Sequence, residues 1–247
     1  MTVLHLIGIG TGNLDHLTRQ AILALNAADL VLIPRKGDSK ADLADLRRAI
    51  CAEVITNPAA RIAEFDLPIR DATNPDYAQG VEDWHDAIAH VWADNIAAYP
   101  KAQNVALLVW GDPSLYDSTL RIAARLGLPV QVVPGITSLQ VLTAAHGIAL
   151  NTIGAPVVIT TGRRLSNHGW PVGADTVAVM LDGNCAFKTL DPTGISIWWG
   201  AYVGMPDQIL LSGSLHDLSA QIIETRTKAR AAHGWIMDIY LLRRPSW

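Results

Sequence analysis

Cysteine is scarce in this chain of 247 residues, which has only Cys51 and Cys185. They stand far apart and in no metal-ligand spacing. That excludes a disulfide framework or a cysteine-built zinc site and predicts two buried, reduced thiols. Long apolar runs are missing as well. Half of the residues are hydrophobic, yet no uninterrupted run approaches the roughly 18–20 residues that span a bilayer, so no membrane segment is expected. The chain also lacks a basic block: 19 Lys and Arg stand against 23 Asp and Glu, for a formal charge of −4. That argues against a nucleic-acid partner, whose binding leans on phosphate neutralisation. The opening "MTVLHLIGIG" has no basic segment before its apolar stretch, so no signal peptide is expected and the cytoplasm is the expected compartment. Neither an internal repeat nor a low-complexity tract interrupts the rest.

What is present is an alternation of strand and helix signals. Apolar strands are predicted at 3–9, 29–34, 104–110 and 128–135, with a further strand between Pro58 and Pro68. Between them, apolar residues at Leu14, Leu17, Ala21, Ile22 and Leu25 predict a helix with Asn13 as its N-cap. Ser39 and Asp42 form a capping-box signature for a second helix. Residues 76–98 predict a long helix whose stripe of Tyr77, Val81, Trp84, Ile88, Val91, Trp92 and Ile96 faces a core. His85 and His90 on it are five apart rather than four, so no metal pair is expected there. A helix over 114–125 completes the first part. Strands alternating with helices imply a parallel sheet covered on both faces. Beyond about residue 150 the strand candidates "APVVITT", "DTVAVML", "GISIWWGAYV", "DQILLSGS" and "GWIMDIYLLRR" crowd together with one clear helix at 215–230. This pattern predicts a second α/β domain with a mixed sheet.

The turn "GIGTGN" invites a dinucleotide reading. It supplies Gly8, Gly10 and Gly12, so the third glycine comes one residue early for a Gly-x-Gly-x-x-Gly fingerprint. Asp29, at the right distance to hold a ribose, precedes the second strand instead of ending it. A nicotinamide- or flavin-dependent oxidoreductase is therefore the weaker alternative. The glycines still mark a turn open to close backbone approach, at the strand end where open α/β sheets bind ligands.

Two further segments end at that same edge: "WGDPSLYDS" after the fourth strand and "PGITSLQ" after the fifth. Gly8, Gly10 and Gly12 followed by Leu17-Thr18, then "LNAADLVL", Gly111-Asp112-Pro113 and Pro134-Gly135-Ile136-Thr137-Ser138 occur in one order along nearly the whole chain. Together they resemble the tetrapyrrole methylase family of S-adenosylmethionine-dependent enzymes. Within it, "IPRKGDSKADLADLRR", "VWGDPSLYDSTLRI" and "WWGAYVGMPDQILLSGSL" resemble a member that methylates a corrin precursor with loss of an acetyl group. Other members of the family, including relatives that methylate RNA or protein, are the nearer alternatives.

The resemblance implies two α/β domains, 1–134 with a parallel five-stranded sheet and 135–247 with a mixed sheet. It implies an active-site cleft between them, a homodimer, S-adenosyl-L-methionine as methyl donor and S-adenosyl-L-homocysteine as product. Carried over position by position, the cofactor would meet Thr11, Trp110, Gly111, Asp112, Leu115, Thr137, Ser138 and Met180, with Tyr202 or Val203 against the adenine. Met180 reads equally well as ordinary core on its own. No catalytic residue is singled out, and no triad or metal set is offered; Asp15, His16 and Tyr116 lie in the edge loops as candidates. For a polycarboxylate tetrapyrrole, Arg35, Lys36 and Lys40 form a candidate rim of charge-assisted donors, with Arg163 and Arg164 as a second pair.

Overall fold

A computed structural model describes residues 1–35, 41–71, 73 and 75–244, with the side chains of residues 41 and 42 left aside. The chain divides into two compact units, Met1–Thr137 and Ser138–Trp247.

The first unit is built on five parallel strands in the order β3-β2-β4-β1-β5. They are β1 (Val3–Gly8), β2 (Leu30–Arg35), β3 (Arg61–Asp66), β4 (Asn104–Val109) and β5 (Val130–Val133). Parallel strands buried on both faces read as continuous apolar runs, and the alternation along β2 shows why. Leu30 and Leu32 join Leu4, Leu6 and Leu107 beneath Ile88 and Trp92 of α3 (Tyr77–Ala97), whereas Val31 and Ile33 join Ile7 and Leu108 beneath Ala21 and Leu25 of α1 (Arg19–Ala27) and Ile50 of α2 (Ala41–Val54). Period-two side-chain direction thus feeds one strand into two cores.

Three local expectations are corrected. Asn13 caps only a single 3₁₀ turn, Leu14–His16, by accepting from the Asp15 N–H at 2.9 Å. The α-helix begins later, at Arg19, because the Thr18 hydroxyl accepts from the Ala21 N–H at 3.0 Å and takes the cap. The helix expected over 114–125 shrinks to α4 (Thr119–Ala123), because Asp112 and Asp117 bond the N–H groups of Ser114 and Thr119 two residues on. Such Asx turns compete with helix at the backbone. Tyr77 is exposed instead of lying on the core stripe, with the Arg70 guanidinium 5.1 Å from its ring centroid. The Ser39 half of the expected capping box lies outside the described residues.

His85 is buried on α3, and its Nδ1 has no hydrogen-bond partner among the described residues. Burial, reinforced by Arg125, holds its pKa below the usual imidazole value. A histidine with a depressed folded pKa binds protons more readily when unfolded, so its contribution favours the fold above the unfolded value and is lost as pH falls below it. The melting temperature is expected to drop progressively from pH 7 to pH 5, and His85→Leu is expected to flatten that drop. An unchanged slope in the variant would refute the assignment.

The second unit carries a mixed sheet in the order β6-β7-β10-β8-β9, with β6 and β7 parallel and the other pairs antiparallel. Its strands are β6 (Val157–Thr161), β7 (Thr176–Met180), β8 (Ser196–Ala201), β9 (Ile209–Ser214) and β10 (Asp238–Arg243). Trp199, Tyr240 and Phe187 fill its core with Ile222 of α7 (Leu215–His233), and α5 (Ser138–His146) and α6 (Gly162–His168) complete the unit. Among the described residues, no helix is long and apolar enough to cross a membrane.

Candidate active site

The three sequence motifs meet because β4, β1 and β5 are neighbours, so the loops leaving their carboxyl ends share one edge. Gly10 and Gly111 exchange backbone hydrogen bonds of 3.3 and 2.8 Å, joining the Gly-rich turn to the "GDP" loop. Asp112 joins that loop to the third motif: its Oδ2 accepts from the Gly135 N–H at 2.9 Å, and its Oδ1 from the Ser114 N–H at 2.8 Å and from the Ser114 hydroxyl. Burial pushes this carboxyl up, but those hydrogen bonds outweigh it and leave the pKa below the usual carboxylate range. Asp112 is therefore an ionised clamp for the loops.

The glycines serve two different ends. A Cβ on Gly135 would lie 2.0 Å from the Gly111 carbonyl oxygen, and one on Gly8 would lie 2.6 Å from the Gly135 nitrogen. Gly8 and Gly135 thus let three backbones touch. Gly111 is different: it has φ +60°, and a Cβ there would meet nothing nearer than Thr137 Cα at 3.8 Å. One face of its peptide is left open for a ligand to approach.

Around this junction Trp110, Leu115, Thr137 and Ser138 are all partly buried, Ser138 as the first residue of α5. Thr11 is buried, and its Oγ1, the His16 Nδ1 and the Trp110 Nε1 are buried with no hydrogen-bond partner among the described residues. Asp15 is exposed, as is Tyr116, which holds a φ of +49°. Asp29 sits at the opposite, amino edge of the sheet, where its Oδ2 accepts from the N–H groups of Gln103 and Asn104 at 2.9 and 2.8 Å. That position removes it from any ribose at the carboxyl edge.

In the second unit Met180 ends β7 and leads into a loop with two residues at positive φ, Leu181 (+52°) and Cys185 (+55°). Asp182 holds that loop: its carboxylate accepts from the N–H groups of Asn184 (2.9 Å) and Ala186 (2.5 Å) and from the Tyr240 hydroxyl (2.6 Å). Tyr202 is buried with φ +50° and donates its hydroxyl to the Trp235 carbonyl at 2.6 Å. Its ring is thereby committed to the core beside His233 and Trp235. Val203 is buried next to it.

The expected basic rim is altered. Arg35 donates to Asp66 at 3.0 Å and lies 3.9 Å from Glu64, so its charge is already balanced. Lys36 and Lys40 lie outside the described residues. Arg163 and Arg164 are exposed on the first turn of α6. The sequence reading missed Arg47 of α2, whose guanidinium donates to the carbonyls of Leu108 and Leu43, each at 3.1 Å, and stands 5.9 Å from the Trp110 ring centroid.

Comparison with known proteins agrees with this geometry. The model of the Tetrapyrrole (Corrin/Porphyrin) Methylases matches residues 3–219. A Sinorhizobium sp. protein named precorrin-6A synthase [deacetylating] is 47% identical over 246 residues, spanning 97% of this chain and 94% of that protein. Among solved structures, one described as a "cobalamin synthesis related protein (CobF)" from Corynebacterium diphtheriae is 40% identical over the full length of both chains, with a TM-score of 0.84. A Thermus thermophilus uroporphyrin-III C-methyl transferase complexed with S-adenyl homocysteine shares the fold at a TM-score of 0.61, covering 97% of this chain and 96% of that one at 20% identity. With its three glycine-joined loops on one sheet edge and a family match over most of its length, the chain belongs to the tetrapyrrole (corrin/porphyrin) methylases.

Proposed function

We propose that this methylase acts on precorrin-5, transferring a methyl group to carbon 1 of the macrocycle with release of the acetyl group as acetic acid, to give precorrin-6A. The observation that carries the reading is the 47% identity to the Sinorhizobium protein of that name across nearly all of both chains. We extend it to a homodimer, as the family resemblance implies, in the cytoplasm, the compartment expected from the sequence.

S-adenosylmethionine, when bound, supplies a methyl group already activated by its sulfonium. The residues present fit such a group: Gly111 offers an open peptide face, with the Thr137 backbone next to it, and Thr137 and Ser138 are the polar contacts that the family resemblance implies. Trp110, Leu115 and Thr11 are the other proposed cofactor contacts of the first unit, and Met180 is one that the family resemblance alone implies. Because the Tyr202 ring is committed to the core, an adenine contact at 202–203 falls to the strand-end backbone and Val203. Asp112 holds the loops and moves no proton, since its lone pairs already accept from Gly135 and Ser114. Methyl transfer then rests chiefly on in-line positioning of an electron-rich ring carbon. Loss of the acetyl group needs one water: it adds to the acetyl carbonyl, acetic acid leaves, and the electron pair of the broken C–C bond stays with the macrocycle.

The test is to incubate the protein with precorrin-5 and S-adenosylmethionine and to measure acetate beside the methylated product. One acetate per methyl transferred is expected. Methylation without acetate would reassign the chain to another precorrin methylase, and NADH binding with hydride transfer would support the oxidoreductase alternative.

A further inference from the structure

We propose that Arg47 receives a carboxylate arm of the tetrapyrrole, an inference that rests on the methylase reading above. Strand β4 pairs with β1 along six positions, Val3 with Asn104 through Gly8 with Val109. It pairs with β2 over only three, ending at Leu32 with Leu107. Beyond that point the two strands separate, and Arg47 enters the gap, its Nε–H donating to the Leu108 carbonyl and its Nη1–H to Leu43. A gap at the carboxyl ends of parallel strands is where open α/β sheets receive ligands.

The neighbouring arginine shows what Arg47 lacks. Arg48 donates to both oxygens of Glu64, at 2.6 and 2.7 Å, and also pairs with Asp45. Arg47 has no carboxylate within ion-pair distance among the described residues. Its two carbonyl partners orient the guanidinium without neutralising it, and burial pushes its pKa down to about 10 against the opposing pull of Asp117. A guanidinium held in place without an ion-pair partner among the described residues calls for an anion, and its planar fork suits a carboxylate. The surroundings carry unspent polar capacity as well. Trp110 lies under the guanidinium and against Gly12, and the Trp110 Nε1 and the Oγ1 of Thr11 are buried without partners among the described residues. Buried polar atoms are normally satisfied, so orphans gathered at one turn point to a ligand that satisfies them.

The experiment compares wild type with Arg47→Met and Arg47→Lys in steady-state turnover of precorrin-5, calorimetric titration with S-adenosylhomocysteine, and thermal melting. Arg47→Met is expected to raise the KM for precorrin-5 by about 10- to 100-fold, the scale of a lost charge-assisted hydrogen bond. Its S-adenosylhomocysteine affinity is expected to stay within about twofold of wild type. Arg47→Lys keeps the charge but not the fork and is expected to fall between the two. If Arg47→Met does not fold, Arg47→Lys decides alone: a raised KM with unchanged S-adenosylhomocysteine affinity supports the proposal, and an unchanged KM overturns it. An unchanged KM in folded Arg47→Met also overturns it, as does an equal loss of both ligands. Wild-type protein that does not methylate precorrin-5 would overturn the methylase-substrate reading instead, a result separable from any variant's.

Discussion

Gly135→Ala is expected to destabilise the first unit by about 3–5 kcal/mol, at the upper end for overpacking, and to abolish S-adenosylhomocysteine binding. The added methyl would sit 2.0 Å from the Gly111 carbonyl oxygen and 2.8 Å from the Gly8 carbonyl carbon. Both obstacles are backbone, so neither can swing aside as a side chain would. Relief requires β5 to move away from β1, which also pulls the Gly135 N–H off Asp112 and loosens the "GDP" loop. Gly127→Ala is the control, because that glycine has φ +63° and nothing within 4 Å of a Cβ; it is expected to cost only about 1–2 kcal/mol for the left-handed backbone. Chemical denaturation and calorimetry check both variants. Equal, small losses for the two would mean that the close approach of Gly8, Gly111 and Gly135 does not hold the site together.

Arg226→Met is the second substitution with a large expected effect. Arg226 donates to Asp238 at 2.9 Å, with side-chain exposures of only 11% and 8%, and to the Asp182 carbonyl at 3.1 Å. Asp238 also accepts from the Trp199 indole N–H at 3.1 Å. Removing one partner of a buried pair strands the other's charge, at a cost of about 3–5 kcal/mol. The loss should depend on pH with a definite sign. Burial raises the Asp238 pKa even against the lowering effect of Arg226, so removing Arg226 raises it further. A carboxyl whose folded pKa exceeds its unfolded value favours the folded state at low pH, and that contribution fades as pH rises through the folded value. Arg226→Met should therefore be more damaging at pH 8 than at lower pH, because protonation of Asp238 relieves the stranded charge. Adding Asp238→Asn should restore much of the stability at pH 8. A pH-independent loss would contradict this account. Because Arg226 also donates to the Asp182 carbonyl, the same substitution should loosen the loop after Met180.

The amino-acid sequence by itself determined the strands of the first unit and the order of the three motifs. Buried parallel strands such as "LVLI" must be apolar on both faces, and that requirement is written in consecutive residues. The misfit of the glycine turn to a dinucleotide fingerprint is equally local, since glycine spacing and the position of Asp29 can be counted along the chain. Local competition for backbone N–H groups proved harder to read. Asn13 and Thr18 are both good caps, and only the fold shows that Thr18 opens α1 while Asn13 serves a 3₁₀ turn.

What the tertiary structure alone decided is which polar groups are already satisfied. Arg35 looked free in a basic stretch, yet parallel pairing of β2 with β3 sets Asp66 beside it. Tyr202 looked like a ligand contact, yet the chain returning at Trp235 takes its hydroxyl. Arg47 and Arg48 are adjacent and chemically identical, and the helical rotation between them sends one to Glu64 and the other to the gap beside Leu108. Charge compensation depends on residues tens of positions away, so its pattern becomes legible only when the sheet is assembled.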